Sequence, residues 1–251
     1  MKSVFMVNGE VGASLIEWII QYHRDDIELV VCREDETRLI EQIEANKVPY
    51  LVWSRIESTE DEIVSWIKSK IIEVGFLLWW PEILSPKLLS CPKYGFVNLH
   101  PSLLPFGRGK NPNFWSIKEG EPFGVSIHLV DKLIDHGPVL VQKQIEVSWL
   151  DNGKTTYEKS ITEIVSLFKE NYVNLGEMAK SQIFKVQNFE VGSFHNFKQL
   201  DETSVIKLDQ LYTARDLFNL IRARTFDGRP SCTFIEGNRR YSVKIKIEEL
   251  K

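Results

Sequence analysis

Cysteine is scarce in this sequence, and its spacing excludes two kinds of site. Only three cysteines occur among the 251 residues, at Cys32, Cys91 and Cys232. They are widely separated and form no Cys-x-x-Cys pair, so the sequence predicts neither a disulfide framework nor a zinc site. No other spacing of histidine, cysteine and carboxylate suggests a bound metal, so we expect none. Free thiols fit a reducing compartment, and we expect the chain to be cytoplasmic.

Long apolar runs and an excess of positive charge are missing too. No stretch approaches the ~20 apolar residues of a membrane span, and the N-terminus lacks the basic and apolar regions of a signal peptide. The net charge is -4, whereas binding to the phosphates of nucleic acid favours a basic surface. We therefore expect neither a membrane nor a nucleic acid as the main partner. A local basic pocket for a small phosphorylated ligand is compatible with this charge.

Several common catalytic motifs are absent. The sequence contains no Gly-x-Ser-x-Gly nucleophile turn and no P-loop. The turn at residues 8–14, which follows the first apolar run, carries two glycines but does not have Gly-x-Gly-x-x-Gly spacing. A helix beginning there could still cradle a phosphate at its N-terminus. A turn that merely needs glycine is the simpler interpretation.

Short apolar segments alternate with amphipathic segments along the first part of the chain. Strand character is found at residues 3–7, 27–32, 48–52 and 71–79, and helical periodicity at 36–45, 60–70 and 155–181. Nearly all-apolar strands separated by helices are typical of a parallel sheet that is covered on both faces. The sequence therefore predicts an α/β, Rossmann-like fold with a mostly parallel sheet and helices on both faces.

The end of the chain has a different pattern. A short helix is predicted from residue 213 to about residue 224, with Thr213 as its N-cap. Residues 232–235 and 241–247 then predict a β-hairpin across Glu236-Gly237-Asn238. We place a catalytic core at residues 1–185 and a small C-terminal α/β tail at residues 186–251. The hairpin could pair with its twin in a homodimer, although nothing in the spacing requires it.

The most informative stretch lies in the middle of the chain. Asn98 and His100 alternate with apolar neighbours, so they share one face of a strand that Pro101 ends. A second polar group, Asp135-His136-Gly137, follows another apolar run. Open α/β sheets bind their ligands at the carboxyl ends of strands. A lone Asn or His at a strand end is usually structural, but the three polar residues together favour a functional site.

An amide, an imidazole and a carboxylate can catalyse acyl transfer without a covalent enzyme intermediate. Asn98 and a protonated His100 would donate hydrogen bonds to the oxyanion of a tetrahedral intermediate. Asp135 would orient or charge the imidazole and help to carry the proton that an attacking amine loses. Nearby, Trp79 and Trp80 could equally be core residues or an apolar wall for a flat ligand.

The sequence resembles the folate-dependent formyltransferases over roughly residues 3–147. Three ordered motifs carry the resemblance, namely Asn98-Leu99-His100-Pro101-Ser102-Leu103-Leu104-Pro105, Gly124-Val125-Ser126-Ile127-His128 and Asp135-His136-Gly137-Pro138. The resemblance implies a Rossmann-like core, N10-formyltetrahydrofolate as the formyl donor, and a catalytic trio on Asn98, His100 and Asp135. His128 falls where some relatives carry a histidine near the active centre, and a structural role is equally compatible with it.

The resemblance also assigns a folate pocket with two walls. The turn at residues 80–86 matches the family's pterin-contacting turn, in which main-chain atoms make much of the contact, and the loop at 130–136 matches the other wall. This favours folate contact over core packing for the two tryptophans. The folate-binding residues implied are Trp79, Trp80, Glu82, Ile83, Leu84, Asp131, Leu133, Ile134 and His136.

Length and charge narrow the choice of acceptor. Relatives that act on tRNA carry a further RNA-binding barrel and need a basic surface, and the glycinamide ribonucleotide enzymes usually end near the long helix. The segments at 110–115 and 220–230 instead resemble the nucleotide-sugar N-formyltransferases. The acceptor-binding residues predicted are Asn8, Arg108, Gly109, Lys110, Asn111, Tyr212, Arg222, Arg224 and Phe226.

The chemistry of these side chains supports that choice. Lys110 and the three arginines, Arg108, Arg222 and Arg224, could bind a pyrophosphate. Phe226 or Tyr212 could stack on a pyrimidine base. Any single arginine could equally be a solvated residue at a helix end. Arg222 and Arg224 are two positions apart, so they cannot point the same way on one helix unless the helix ends between them.

We therefore predict a sugar N-formyltransferase that acts on a dTDP-linked 3- or 4-amino-6-deoxyhexose in O-antigen or similar glycan synthesis. The alternatives are a glycinamide ribonucleotide formyltransferase, a hydrolase that cleaves formyltetrahydrofolate with water, and a binding module without turnover. The identity of the sugar, the position of its amine and the choice of thymine or guanine as base stay open at this point.

Overall fold

The computed structural model describes residues 1–54 and 57–250. Its first elements alternate strictly between strand and helix. They are β1 (Ser3–Val7), α1 (Gly9–Tyr22), β2 (Ile27–Arg33), α2 (Thr37–Ala45), β3 (Tyr50–Trp53), α3 (Glu57–Lys70), β4 (Val74–Leu78), α4 (Pro86–Leu89) and β5 (Phe96–His100). A 3₁₀ turn, Arg24–Asp26, precedes β2.

The second half of the chain mixes shorter strands with one long helix. Its elements are β6 (Arg108–Gly109), α5 (Pro112–Glu119), β7 (Phe123–Leu129), β8 (Val139–Ile145), α6 (Gly153–Lys180), β9 (Phe194–His195), α7 (Gln199–Thr203), α8 (Ala214–Arg224), β10 (Cys232–Glu236) and β11 (Arg239–Val243).

Seven strands form one sheet in the order β3-β2-β1-β4-β5-β7-β8. The pairs from β3 to β5 are all parallel. Every residue of β1 and β4 is buried, as expected for strands covered on both faces. The predicted α/β class with a mostly parallel sheet is confirmed, and a small antiparallel hairpin of β10 and β11 accompanies it.

The strand order reverses between β1 and β4. The chain runs outward from β1 to β2 and β3, and it then returns to the other side of β1 with β4 and β5. Val7, at the end of β1, lies beside Leu78, at the end of β4. Ligands of open α/β sheets bind outside the carboxyl ends of strands at such a reversal. The residues that follow these strands, Asn8 and Trp79, are therefore well placed for binding.

The chain divides into two compact units, each with its own core. The first comprises Met1–His100, Ile127–Val141 and Val165–Val186, and the second comprises Pro101–Ser126, Gln142–Ile164 and Gln187–Lys251. In the first unit, a cluster of buried residues that includes Met6, Val31, Ile63 and Phe96 joins strands to α3. In the second unit, Phe114, Trp115, Leu220 and Cys232 pack together. The predicted division at residue 185 stays a prediction.

Some element boundaries differ from the sequence-based expectations. The strand expected at 71–79 begins only at Val74, because α3 continues to Lys70 and is followed by Ile71 with a φ of +54°. The second hairpin strand lies at Arg239–Val243 rather than 241–247, because a two-residue turn pairs Glu236 directly with Arg239. Helix α5 was not expected at all.

Other boundaries agree with the expectations. Helix α8 begins after Thr213, whose Oγ1 accepts a hydrogen bond from the Asp216 N–H at 3.1 Å, so the predicted N-cap is confirmed. Within residues 1–54 and 57–250, no helix combines the length and the apolarity needed to cross a membrane.

Candidate active site

Four polar side chains meet in the first unit, around the ends of β5 and β7. His100 Nδ1 lies 3.6 Å from Asp135 Oδ2, and His128 Nε2 lies 3.7 Å from Asp135 Oδ1. Asn98 Nδ2 is 3.2 Å from His128 Nε2. The structure thus brings the predicted trio of Asn98, His100 and Asp135 into one cluster and adds His128 to it.

His128 sets the orientation of the Asn98 amide. Its Nδ1 lies 2.8 Å from the carbonyl oxygen of Leu129, which can only accept, so Nδ1 carries the proton. In a neutral imidazole the other nitrogen, Nε2, is then an acceptor. It receives a hydrogen bond from the Asn98 amide nitrogen, and this fixes which end of the amide faces the histidine.

The cluster is largely enclosed by protein. His100 is 6% exposed and His128 is 2% exposed, and low surrounding polarity strengthens interactions between charges and dipoles. Asp135 has a φ of +49°, in the left-handed region that aspartate tolerates better than most residues. Gly137 follows where a Cβ atom would lie 1.8 Å from the Leu129 carbonyl oxygen. The loop that delivers Asp135 can therefore approach β7 only because residue 137 is glycine.

The first predicted folate wall, the turn at residues 80–86, combines buried and exposed side chains. Trp80 and Leu84 belong to the core of the first unit, and the Trp80 ring meets the Trp53 ring edge-on at 5.6 Å. The interpretation of the Trp80 ring as an apolar wall is therefore not supported by its burial, and contact from its main chain stays a prediction. Ile83 is 79% exposed, and Glu82 forms an ion pair with Arg33 at 3.4 Å.

The second predicted folate wall, the loop at residues 130–136, is shaped by Asp131. One of its carboxylate oxygens lies 2.6 Å from His136 Nδ1, and the other accepts a hydrogen bond from the Leu133 N–H at 2.8 Å. Leu133 and Ile134 are large apolar residues that stay exposed. Exposed apolar side chains in a loop fixed by hydrogen bonds fit the flat ring system of a folate.

Asn8 caps α1 without a hydrogen bond from its side chain to the helix. Its N–H donates to the Leu78 carbonyl oxygen at 3.1 Å. The N–H of Gly9 donates to the Glu36 carboxylate at 2.7 Å. A carboxylate of the protein thus already accepts from one N–H at this helix N-terminus, and binding of a phosphate by the turn stays a prediction. A role for the Asn8 side chain in acceptor binding stays a prediction.

The predicted acceptor loop lies in the second unit. Arg108 and Gly109 form β6, which pairs in parallel with β9. Lys110 is exposed, and Asn111 adopts a left-handed conformation with a φ of +58° just before α5. The guanidinium carbon of Arg108 lies 4.8 Å from the centre of the Phe189 ring.

Arg222 and Arg224 are both engaged by the protein and point to different partners, as their spacing requires. Arg222 is 8% exposed. Its NH1 group donates to the Ser148 and Asp151 carbonyl oxygens, both at 2.8 Å. Burial lowers the pKa of the Arg222 guanidinium, and the nearby Asp151 carboxylate opposes that effect. Arg224 donates to Asp201 at 2.6 Å. These contacts stabilise the second unit, and binding of a pyrophosphate by either arginine stays a prediction.

The two aromatic residues proposed to stack on a base have partners within the second unit. The Tyr212 hydroxyl accepts a hydrogen bond from the Lys207 N–H at 3.1 Å. The Phe226 ring lies 5.7 Å from the Tyr157 ring, and Arg229 covers it at 4.2 Å. Stacking on a pyrimidine by Tyr212 or Phe226 stays a prediction.

Comparison with known proteins identifies the family. Residues 1–168, two thirds of the chain, match the formyl transferase family. The chain belongs to this family. Residues 199–249 match the N-formyltransferase dimerization C-terminal domain. Both matches agree with the resemblance that the motifs around Asn98 and Asp135 indicate.

The individual relatives differ in their acceptors. The methionyl-tRNA formyltransferase of Thermodesulfovibrio yellowstonii is 31% identical over 192 residues, and the matched region covers 76% of this chain but only 60% of that protein. A 4-N formyltransferase from Francisella tularensis has a TM-score of 0.80 at 22% identity, with 99% of both chains covered. An N-formyltransferase from Helicobacter canadensis, solved with folinic acid and dTDP-3-aminofucose, has a TM-score of 0.66 at 18% identity, covering 88% of this chain and 80% of that chain. At these identities the two structures show a shared fold.

Some contacts that organise the site could not be predicted from the sequence. For His128, a place near the active centre and a structural role were equally compatible with the sequence, and its contact with Asn98 depends on two strands being neighbours. Phe189, Ser193 and His195 lie in a segment that has neither helical nor strand periodicity in the sequence. Their contacts with the acceptor loop join residues more than 70 positions apart, and no local pattern signals them.

Two further features of the described residues limit the site. No group of three or more histidine, cysteine, aspartate or glutamate side chains among them is arranged to hold a metal ion. A groove of about 700 Å³ lies in the second unit, between residues 205–210 and the hairpin turn at 235–237. None of the predicted site residues lines this groove.

Proposed function

We propose that this protein transfers the formyl group of N10-formyltetrahydrofolate to the amine of a dTDP-linked 3- or 4-amino-6-deoxyhexose. The observation that carries the proposal is the enclosed cluster of Asn98, His100 and Asp135. It combines two hydrogen-bond donors with a carboxylate, which is what formyl transfer to an amine requires. Synthesis of an O-antigen or similar glycan in the cytoplasm is the proposed setting.

In this mechanism Asn98 and His100 bind the oxygen of the formyl group. The Asn98 amide donates one hydrogen bond, and His128 keeps that amide turned in one direction. The donor supplies a formyl carbon bonded to nitrogen, which an uncharged amine can attack. As charge develops on the formyl oxygen, fixed donors stabilise it without having to reorganise.

Asp135 acts on the His100 imidazole and on the proton that the attacking amine loses. Its carboxylate faces His100 Nδ1, so Nε2 is the ring nitrogen that would donate to the formyl oxygen. A nearby carboxylate favours the charged imidazolium form. When the new bond from the amine to carbon forms and the bond from carbon to N10 of the donor breaks, the amine loses a proton that N10 gains. Asp135 and His100 are placed to help carry it.

The two loops of the first unit are the proposed folate walls. Exposed Ile83, Leu133 and Ile134 offer apolar surface, and Asp131 fixes the second loop through its bonds to Leu133 and His136. The folinic acid in the Helicobacter canadensis structure supports a folate as the donor.

The choice of a sugar nucleotide as acceptor is supported by a structural neighbour and by charge. The Helicobacter canadensis N-formyltransferase, which shares this fold, was solved with dTDP-3-aminofucose. A net charge of -4 does not favour tRNA. Methionyl-tRNA is the second candidate acceptor, because the methionyl-tRNA formyltransferase of Thermodesulfovibrio yellowstonii is 31% identical to this chain over 192 residues.

The tail is proposed to form a homodimer. The match of residues 199–249 to a dimerization domain supports this, and the proposed tail covers residues 186–251. Light scattering of the purified protein should give twice the mass of one chain, and the mass of a single chain would contradict the dimer.

A mass-spectrometric assay tests the function. The purified protein is incubated with N10-formyltetrahydrofolate and, separately, with dTDP-3-amino, dTDP-4-amino and GDP-4-amino 6-deoxysugars, glycinamide ribonucleotide, methionyl-tRNA or no amine. We expect one formyl group to be added to a dTDP-amino sugar. Formylation of methionyl-tRNA or glycinamide ribonucleotide alone would replace the proposed acceptor, and formate release without an amine would indicate a hydrolase.

The pH dependence of the same assay tests the role of the amine. The acceptor must be deprotonated to attack, so the rate should fall at acidic pH. A rate that stayed flat from neutral pH down to about 5 would contradict attack by a free amine.

A further inference from the structure

The three arginines predicted to bind a diphosphate are held in different ways. Arg222 donates to main-chain carbonyl oxygens and Arg224 to Asp201. Among the described residues, Arg108 pairs with no carboxylate, and its buried Nε has no hydrogen-bond partner. Its guanidinium carbon lies 4.8 Å from the Phe189 ring centre and 5.9 Å from that of Phe194. Both distances are within the range of a cation–π interaction.

Residues 189–195, here called the strap, also hold the main chain on both sides of Arg108. The Gly107 N–H donates to the Ser193 hydroxyl at 2.7 Å. The Arg108 N–H donates to the Ser193 carbonyl oxygen at 3.2 Å, and the Lys110 N–H donates to the His195 carbonyl oxygen at 2.9 Å. Three amide groups of the loop are therefore satisfied by a segment 85 or more residues away.

The strap is itself anchored to α5 and the residues that follow it. The His195 ring stacks on the buried Trp115 ring at 3.7 Å with an angle of 6° between the planes. His195 Nε2 lies 3.1 Å from a carboxylate oxygen of Glu119. The Ser193 hydroxyl donates to Glu121 at 2.7 Å. A strap fixed at its end can hold the side chain of Arg108 as well as its backbone.

We propose that Phe189 and Phe194 are positioning residues that orient the Arg108 guanidinium for the diphosphate of the acceptor. This inference rests on the proposed function, since a sugar nucleotide supplies the diphosphate. Because Nε is buried, the terminal amino groups are the part of the side chain that can meet a ligand. A guanidinium presents these donors in a flat fork that matches a phosphate, and fixing the fork in advance reduces the entropy lost on binding.

The test compares the binding of dTDP, thymidine and inorganic pyrophosphate by titration calorimetry. Arg108→Met should weaken the binding of dTDP and of pyrophosphate by roughly 10- to 100-fold, as expected for the loss of charge-assisted hydrogen bonds. Phe189→Leu should weaken both by about 2- to 5-fold, the size of an exposed cation–π interaction. Thymidine, which has no phosphate, should bind all variants alike. Phe197→Leu is the matched control, because Phe197 is exposed just beyond the strap.

The double variant separates positioning from packing. If Phe189 acts through Arg108, then Phe189→Leu should change nothing further in a chain that already carries Arg108→Met. Two results would overturn the inference. One is that Phe189→Leu weakens the binding of dTDP and of thymidine equally, and the other is that it weakens pyrophosphate binding as much in the Arg108→Met chain as in the parent. Thermal melts check that any change does not come from unfolding. Phe194→Leu should weaken the binding of pyrophosphate in the same direction as Phe189→Leu and leave thymidine binding unchanged.

Pyrophosphate keeps this test distinct from that of the proposed function. Binding of pyrophosphate that depends on Arg108 and Phe189, without formylation of any dTDP-sugar, would support the positioning and reject the acceptor. Formylation of a dTDP-sugar by a protein whose pyrophosphate binding ignores Arg108→Met would reject the positioning alone.

Discussion

The cluster around Asn98 and the loop around Arg108 are held in place by different means. Asn98 and His100 belong to a strand of the sheet, and their bonding partners lie on the next strand or the loop after it. Arg108 belongs to a loop whose amides bond to a strap that follows 85 residues later. The sheet itself therefore fixes the first set, whereas the second depends on one distant segment. Changes should therefore act on chemistry in the first region and on binding in the second.

Removing the Asn98 amide should have the largest effect. Asn98→Ala deletes one of two donors to the formyl oxygen, which costs roughly 100- to 1000-fold in kcat. KM for the acceptor should change little, because the Asn98 amide acts on the charge that develops on the formyl oxygen during the reaction. Asn46→Ala is the control, since the Asn46 side chain is exposed and donates to the Gln42 carbonyl oxygen in α2. Near-normal turnover of Asn98→Ala in a steady-state assay would remove Asn98 from the proposed chemistry.

Removing His128 should have a smaller effect that depends on Asn98. His128→Ala leaves the Asn98 amide without the acceptor that orients it, and the loss of one such hydrogen bond corresponds to roughly a 5- to 10-fold fall in kcat. In a chain carrying Asn98→Ala, the same change should cost nothing more. An equal fall in both backgrounds would show that His128 acts independently of Asn98. His128→Gln, which keeps an acceptor oxygen, should recover part of the rate.

The difference between the two regions also explains what the sequence could predict. The apolar strands were predictable because strands buried on both faces read as continuous apolar runs. The shared face of Asn98 and His100 was predictable because side chains alternate along a strand. The partners of Arg222 could not be predicted, since helix periodicity says which face is buried but not which carbonyl a guanidinium will meet. Trp80 was assigned to a ligand wall from its motif, although its ring packs in the core. The strap went unrecognised because its contacts are far apart in the chain.

Substitution of Gly109 should loosen the acceptor loop alone. A Cβ atom there would lie 2.2 Å from the His195 carbonyl oxygen, whereas at Gly120 it would meet nothing within 4 Å. Both glycines have positive φ, at +88° and +69°, so alanine causes backbone strain of about 1–2 kcal/mol at either site. Only Gly109→Ala must also push the strap away.

Kinetics of the two variants separate backbone strain, which both variants have, from displacement of the strap, which only Gly109→Ala causes. Gly109→Ala should raise KM for the sugar nucleotide about tenfold, which corresponds to roughly 1.4 kcal/mol, and leave kcat nearly unchanged. Gly120→Ala should lower the melting temperature without changing KM. A fall in kcat with KM unaltered would mean that the loop serves the chemistry rather than binding.

The smallest effect is expected at Glu121, where the strap is anchored. Burial raises the pKa of the Glu121 carboxyl, and Glu119 raises it further, while Ser193, His195 and Lys118 partly oppose this. A raised pKa in the folded state means that the folded chain holds this proton more tightly than the unfolded chain. The contribution of Glu121 to stability is therefore present below its unfolded pKa and is lost as the pH rises through the folded pKa.

Glu121→Gln mimics the protonated form and can still accept a hydrogen bond from Ser193. It should make the protein slightly more stable than the parent at neutral pH, because no buried charge remains, and the difference should vanish as the pH falls toward about 4. Urea unfolding across this pH range measures it, with Glu190→Gln on the exposed side of the strap as the control. If Glu121→Gln were instead less stable at neutral pH and the gap widened with rising pH, the charge of Glu121 would be what fastens Ser193. The strap would then be held by an ionic contact rather than by packing and neutral hydrogen bonds, and acceptor affinity should weaken in acid along with it.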